Sequence, residues 1–257
     1  MNLLEIRDLS IHFGGIIALE DVSFGVSAEE IVGLIGPNGA GKTTVFNCIT
    51  GIYQPDGGSI AFEDRDLLSL RPHQIIAHGV ARTFQNVELF RSMTVLDNLL
   101  VGQHTGLSCN LLECAFWLPR ARKEDRYGRE RALEVLRILK LEHLQDAPVA
   151  ALPFGIKKHV EMARALVSRP RLLLLDEPAG GLNREELNAL AGLIRALRDD
   201  LGVTILLVEH HMDLVMQISD RVCVLDFGRK IGEGTPAEVQ KDRSVIEAYL
   251  GDSDAEG

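Results

Sequence analysis

Ile31-Val32-Gly33-Leu34-Ile35-Gly36-Pro37-Asn38-Gly39-Ala40-Gly41-Lys42-Thr43 decides the fold of this chain. Its first five residues are a short apolar run that reads as a buried strand, and the run ends in a glycine turn. Thr43 to Ile49 then has helical character, with Val45, Phe46 and Ile49 able to share a face. The turn, Gly36 to Thr43, fits the pattern G-x-x-x-x-G-K-[ST] without deviation. Glycines let successive backbone N–H groups turn inward as an anion nest. The helix that begins near Lys42 aims its positive dipole end at the same point. Lys42 adds a charge for β and γ phosphates, and the Thr43 hydroxyl can ligate Mg²⁺. Strand before and helix after are the context this motif requires.

Further along, Leu172-Leu173-Leu174-Leu175-Asp176-Glu177-Pro178 puts two carboxylates at the C-terminal end of a second apolar run. Open α/β sheets place ligand chemistry at that end of their strands. Asp176 suits Mg²⁺ held through water, and Glu177 suits polarisation of an attacking water. A solvated acidic turn is the alternative for this stretch taken alone. Val203 to Val208 is a third buried run. Buried strands alternating with helical patterns predict an α/β fold around a mostly parallel, covered sheet. Leu3 to Leu9 and Ile17 to Val26 read as strands of a small N-terminal antiparallel layer. From about Val95 to Val167 the pattern is helical, which predicts an α-helical subdomain inserted between strands. The expected organisation is one domain, with a nucleotide-binding core over 1–86 and 168–250, a helical subdomain over 87–167, and an acidic tail over 251–257.

Composition bounds the rest. The chain has 257 residues, 46% hydrophobic and 25% charged, with a formal net charge of −10. That balance argues against nonspecific coating of nucleic acid. Cys48, Cys109, Cys114 and Cys223 form no C-x-x-C pair, so idle thiols are expected rather than a metal site. The N-terminus lacks the basic-then-apolar run of a signal peptide, and no apolar stretch approaches the ~20 residues of a membrane span.

With what lies between and after them, the two motifs resemble the ATP-binding cassette family over nearly the whole chain. Phe13 sits where the family has an aromatic that stacks on adenine. Gln85, in Arg82-Thr83-Phe84-Gln85-Asn86, matches the glutamine of the loop leading to the helical subdomain. Leu152-Pro153-Phe154-Gly155-Ile156 matches the family signature region, Ala179-Gly180-Gly181-Leu182-Asn183 the loop after the acidic motif, and His210 the switch histidine. Taken singly, Phe13 reads as core, Gln85 as an exposed strand end and His210 as hydrogen-bonded structure; their joint order carries the resemblance. His211 replaces the aspartate common next to the switch histidine, so the two histidines can share or exchange the role.

The resemblance implies a P-loop NTPase that is an ATPase, with ATP and Mg²⁺ as its cofactors. Nucleotide contacts would come from Phe13, Gly36, Pro37, Asn38, Gly39, Ala40, Gly41, Lys42, Thr43, Thr44 and Gly155. Mg²⁺ would be held by Thr43, Gln85 and Asp176, and catalysis carried by Lys42, Gln85, Glu177 and His210. The signature departs from Leu-Ser-Gly-Gly-Gln at Pro153, Phe154 and Ile156. Pro153 has neither a hydroxyl nor an N–H, so a helix beginning near Ile156 is expected to offer its N–H groups instead.

The family also implies a head-to-tail cassette dimer, homomeric or heteromeric. Membrane permease subunits would be separate chains, with a substrate-binding protein as an indirect partner and no nucleic acid. The expected location is the cytoplasmic face of the membrane. Thr43 to Gly51, Val80 to Gln85, Met93 to Val101, Asp176 to Asn183 and Ala248-Tyr249-Leu250-Gly251 are similar to the branched-chain (hydrophobic) amino-acid uptake subfamily. So is the insertion Gly106 to Arg131, apolar at first and then basic. A membrane-proximal contact and a solvated helix with an apolar underside are both open for it. Urea or short-amide uptake and lipopolysaccharide export are the alternatives within the class. A P-loop kinase or a soluble P-loop regulatory ATPase is the alternative outside it.

Overall fold

The alternating apolar residues at the N-terminus form one long hairpin. β1 (Asn2–Phe13) buries Leu4, Ile6, Leu9 and Ile11 and pairs antiparallel with β2 (Ile16–Ser27). The strands outrun the short segments expected from sequence, because the ladder continues to a Phe13–Ile16 pair beside the Gly14-Gly15 turn. The computed structural model describes residues 2–83, 88–103 and 118–253. Cys109, Cys114, Gln85 and most of the apolar half of the 106–131 insertion lie outside the described residues.

β3 (Ile31–Ile35) is buried at all its positions and leads through the glycine turn into α1 (Lys42–Ile49). The helix stops at Thr50, whose hydroxyl donates to the Phe46 carbonyl at 2.8 Å, and at Gly51, which adopts φ 71°. β4 (Gly57–Phe62) pairs with β1, and β5 (Arg65–Asp66) with β4. These strands complete an antiparallel sheet in the order β2-β1-β4-β5. α2 (Pro72–Ala77) and β6 (Val80–Arg82) follow.

Next come α3 (Val95–Gly102), α4 (Pro119–Ile138) and α5 (Phe154–Leu166). Asn98 is fully buried at the start of this helical stretch, and its amide donates to the carbonyls of Phe90 and Thr94. The stretch is not continuously helical. Short 3-10 turns at Glu142–Leu144 and Val149–Ala151 separate α4 from α5.

The chain then runs through β7 (Leu172–Asp176), α6 (Arg184–Asp199), β8 (Thr204–Val208), α7 (Met212–Ile218), β9 (Arg221–Asp226) and β10 (Arg229–Gly234). α8 (Pro236–Val239) and α9 (Arg243–Ser253) end it. The second sheet has the order β10-β9-β3-β8-β7-β6, parallel throughout except where β10 turns back on β9. Gly251, Asp252 and Ser253 continue α9 rather than starting a tail. Extending a formed helix costs far less than nucleating one.

The chain divides into two units, Met1–Arg82 with Arg171–Gly257, and Thr83–Pro170. The first holds both sheets. Its core joins Phe46 and Ile49 of α1 to Leu4, Ile6 and Phe62 of the antiparallel layer and to Leu34, Leu174 and Leu206 of the parallel sheet. Continuous apolar strands such as Thr-Ile-Leu-Leu-Val of β8 are what a sheet covered on both faces needs. The second unit is helical. Among the described residues no helix is long and apolar enough to cross a membrane.

Leu206 is fully buried in a central strand. Leu206→Ala is expected to lower unfolding stability by about 2–5 kcal/mol. Urea unfolding checks this: the midpoint falls while the slope holds, and a loss below about 1 kcal/mol would contradict the packing described.

Candidate functional site

The parallel register brings three strand ends together. Leu34 of β3 lies beside Val208 of β8, and Val208 beside Asp176 of β7. The loops that leave these strands carry Gly36 to Gly41, Glu177 to Asn183, and Glu209 to His211.

The first loop is a cradle that depends on glycine. Gly36 and Gly41 have φ of 151° and 100°. A Cβ on Gly36 would run into the Leu225 carbonyl, and one on Gly41 would meet Leu19 Cδ2 at 2.6 Å and the Ala18 carbonyl at 2.7 Å. Gly39, at φ 80°, has open space where its Cβ would stand. The turn between β9 and β10 braces the cradle from below. Phe227 and Gly228 there both take positive φ, as a tight two-residue hairpin requires. The Gly228 N–H donates to the Ala40 carbonyl at 3.1 Å, and the Gly228 carbonyl accepts from Glu20 N–H at 2.8 Å.

Lys42 is only 6% exposed. Its Nζ donates to the Gly36 and Pro37 carbonyls at 2.7 and 2.8 Å, which holds the ammonium at the rim of the cradle. A cavity of about 250 Å³ opens over the loop and the first turn of α1, lined by Ile16, Ile17, Asn38 to Thr44, Glu177 and His210. Backbone N–H groups, a helix N-terminus and one ammonium make this an anion site. Phe13 pairs across the hairpin with Ile16, is 43% exposed and meets the Tyr53 ring edge-on at 5.0 Å. It does not line the cavity; Ile16 and Ile17 do.

Asp176 closes β7 and is 4% exposed. Arg82 Nη2 donates to its Oδ2 at 2.6 Å, and Arg82 Nη1 donates to Asn47 Oδ1 at 2.7 Å. The guanidinium lies 5.4 Å from the Phe46 ring. Burying a carboxylate demands such a partner. Arg82 was not among the expected site residues. The signal for it is weak, a basic residue ending a short strand just before Thr83-Phe84-Gln85.

Glu177 takes φ 47°, a left-handed conformation uncommon for a residue with a Cβ. Its N–H donates to the Val208 carbonyl at 2.9 Å. Its Oε1 stands 2.6 Å from His210 Nε2. The contact is of hydrogen-bond length, and which ring nitrogen of His210 carries a proton depends on its tautomer. Of the two histidines, His210 faces the cavity; His211 occupies the N-cap of α7 without a side-chain capping bond. Asn183 closes the loop after Glu177 by capping α6, its Oδ1 accepting from Glu185 and Glu186 N–H at 3.0 Å.

The oxygen donors present fit the expected ligands. The Thr43 hydroxyl and the Asp176 carboxylate are hard donors suited to Mg²⁺, and the open Gly39 cradle suits a phosphate chain. Gln85 falls outside the described residues.

Gly155 lies in the helical unit. There α5 begins at Phe154, two residues before the position expected from sequence, because Pro153 with φ −57° and ψ 155° serves as its N-cap. The Pro153 carbonyl accepts from Lys157 N–H at 3.1 Å. The N–H groups of Phe154, Gly155 and Ile156 thus form the free first turn. Burial pushes the thiols of Cys48 and Cys223 up to about 12, which keeps both protonated.

Residues 19–180 match the protein family described as ABC transporter, and residues 229–255 match one described as branched-chain amino acid ATP-binding cassette transporter. The chain is 44% identical over 251 residues to the high-affinity branched-chain amino acid transport ATP-binding protein BraF of Pseudomonas aeruginosa, covering 98% of each. It is 46% identical over 252 residues to LivG of Escherichia coli K12, again covering 98% of each. It is also similar to an ABC-transporter cassette solved in its ADP conformation, at 33% identity and a TM-score of 0.85, covering 98% of this chain and 99% of that one.

Gly36→Ala is expected to weaken ATP binding at least about tenfold, since forcing a Cβ into this φ costs of order 1–3 kcal/mol. Titration with a fluorescent nucleotide checks it, and unchanged affinity would show the approach to Leu225 to be slack.

Proposed function

Given that the chain belongs to the ABC transporter family and is one of its ATP-hydrolysing subunits, we propose that it powers uptake of branched-chain amino acids through permease subunits carried on separate chains. The observation that carries the substrate class is the similarity to BraF and LivG over 98% of the chain. The second match, at residues 229–255, adds to it. The solute need never touch this chain, so uptake must be measured in the assembled transporter. With the cognate permeases and binding protein in vesicles, labelled leucine is taken up in an ATP-dependent manner and urea is not. Urea uptake without leucine uptake overturns the substrate assignment.

In this reading the substrate is ATP. Lys42 and the N–H groups of Gly39 to Thr44 bind its phosphates, with adenine on the Phe13 side of the hairpin. Thr43 and Asp176, with Gln85 as the resemblance implies, would hold Mg²⁺, which would supply charge neutralisation to the triphosphate. Glu177 orients the attacking water. His210, already within hydrogen-bond reach of Glu177, steadies the γ-phosphoryl. The free first turn of α5, with Gly155, serves the phosphate bound by a second cassette in a head-to-tail dimer. The chain works peripherally, at the cytoplasmic face of the membrane.

Glu177→Gln keeps the shape of the side chain and removes its charge. It is expected to retain ATP binding and to lower kcat by about 100-fold or more. Phosphate release and nucleotide titration on the same preparation check both halves, and near-normal turnover removes Glu177 from the role. Pro153→Ser places a hydroxyl and a better cap at the start of α5 and is expected to raise ATPase rate in the assembled transporter. Unchanged or lower turnover there would mean that the free first turn already suffices.

A further inference from the structure

Glu209 is 1% exposed, and the mechanism above gives it no role. Among the described residues no Lys or Arg pairs with it. Its partners are backbone N–H groups from two different loops. Ala179 N–H donates to Oε1 at 2.6 Å. His210 and His211 N–H donate to Oε2 at 2.8 and 3.1 Å. A buried carboxylate is tolerated only when its oxygens are satisfied, and here each oxygen serves one loop.

The two loops are those that carry the Glu177–His210 contact. Ala179 stands two residues after Glu177, and His210 directly follows Glu209. A second tie runs from Glu177 N–H to the Val208 carbonyl at 2.9 Å. Glu177 Oε1 and His210 Nε2, 2.6 Å apart, therefore sit on backbone segments that one carboxylate holds together. The donor pattern also fixes the residue type. All three partners only donate, so the side chain must accept through both oxygens. A glutamine has a single acceptor oxygen, and its NH₂ would face an N–H on one loop or the other.

We propose that Glu209 is a positioning residue for hydrolysis: it bridges the loop after β7 to the loop after β8 and sets the placement of Glu177 against His210. The inference rests on the reading of Glu177 and His210 as the hydrolytic pair. Misplacing reacting groups by about 1 Å costs on the order of 100-fold in rate. Nucleotide binding is made by the cradle of Gly36 to Thr44, which Glu209 does not touch.

The test uses the full chain assembled with its permeases and compares Glu209→Gln and Glu209→Asp with the unaltered protein. Aspartate keeps the charge but is one methylene too short to reach both loops. For each variant kcat, KM and the ATP dissociation constant are measured, and Glu209→Gln is repeated in the His210→Ala background. The expected result is a fall in kcat of about 10- to 100-fold with ATP affinity within about threefold, in at least the variant that folds. In the His210→Ala background the further loss shrinks to about twofold or less, because the residue acts through the pair. Equal losses in both backgrounds, or loss of ATP affinity in step with kcat, or failure of both variants to fold, marks Glu209 as general structure and overturns the proposal. Unchanged kcat in both variants also overturns it. If His210→Ala and Glu177→Gln themselves leave turnover intact, the reading of the pair has failed, and that outcome is told apart by those parent variants alone.

Discussion

The parallel ladder that sets Leu34, Val208 and Asp176 in one row is the constraint on which the site depends. Each strand contributes one loop at the same sheet end, so the glycine loop, the two carboxylates and His210 converge there. A slip of one residue along β7 would move Asp176 and Glu177 by about 3.3 Å and turn their side chains to the opposite faces. Burial on both sheet faces, by Leu172 to Leu175 and Ile205 to Val208, fixes the strands in the core, and the hydrogen-bond ladder fixes their register.

The charges at the site are arranged so that an acidic protein can hold a polyanion. A net charge of −10 opposes phosphate binding at long range. The opposition is screened beyond about 10 Å in ordinary salt. At short range the cradle uses backbone N–H groups, the start of α1 and the Lys42 ammonium. The nearby carboxylates are already engaged: Asp176 with Arg82, Glu177 with His210, and Glu209 with three N–H groups. Local dipoles outweigh a diffuse surface charge, and composition alone could not foresee that.

The strand-turn-helix of Gly36 to Thr43 and the Asp176-Glu177 pair were legible because each motif is contiguous and its residue types follow from its chemistry. Arg82 and Glu209 were not, since their roles arise only when segments 94 and 30 residues apart meet. The motif order assigns Phe13 to the site. The structure puts it at the hairpin tip, beside the cavity wall that Ile16 and Ile17 form. α5 starts at Phe154 rather than near Ile156 because a proline cap extends it backwards, and α9 continues through Ser253 into the stretch where the sequence predicts a tail. Helix ends are set by one or two hydrogen bonds, and sequence periodicity reports the middle of an element better than its ends.

The backbone cradle is built to hold nucleotide by its phosphates before anything else. Competition at equilibrium tests it most directly: a fluorescent ATP analogue bound to the purified chain with Mg²⁺, challenged in parallel by inorganic triphosphate and by adenosine. Triphosphate is expected to displace the analogue, and adenosine to do so only at far higher concentration. Displacement by adenosine with no effect of triphosphate would place the binding energy at the Phe13 hairpin and contradict it.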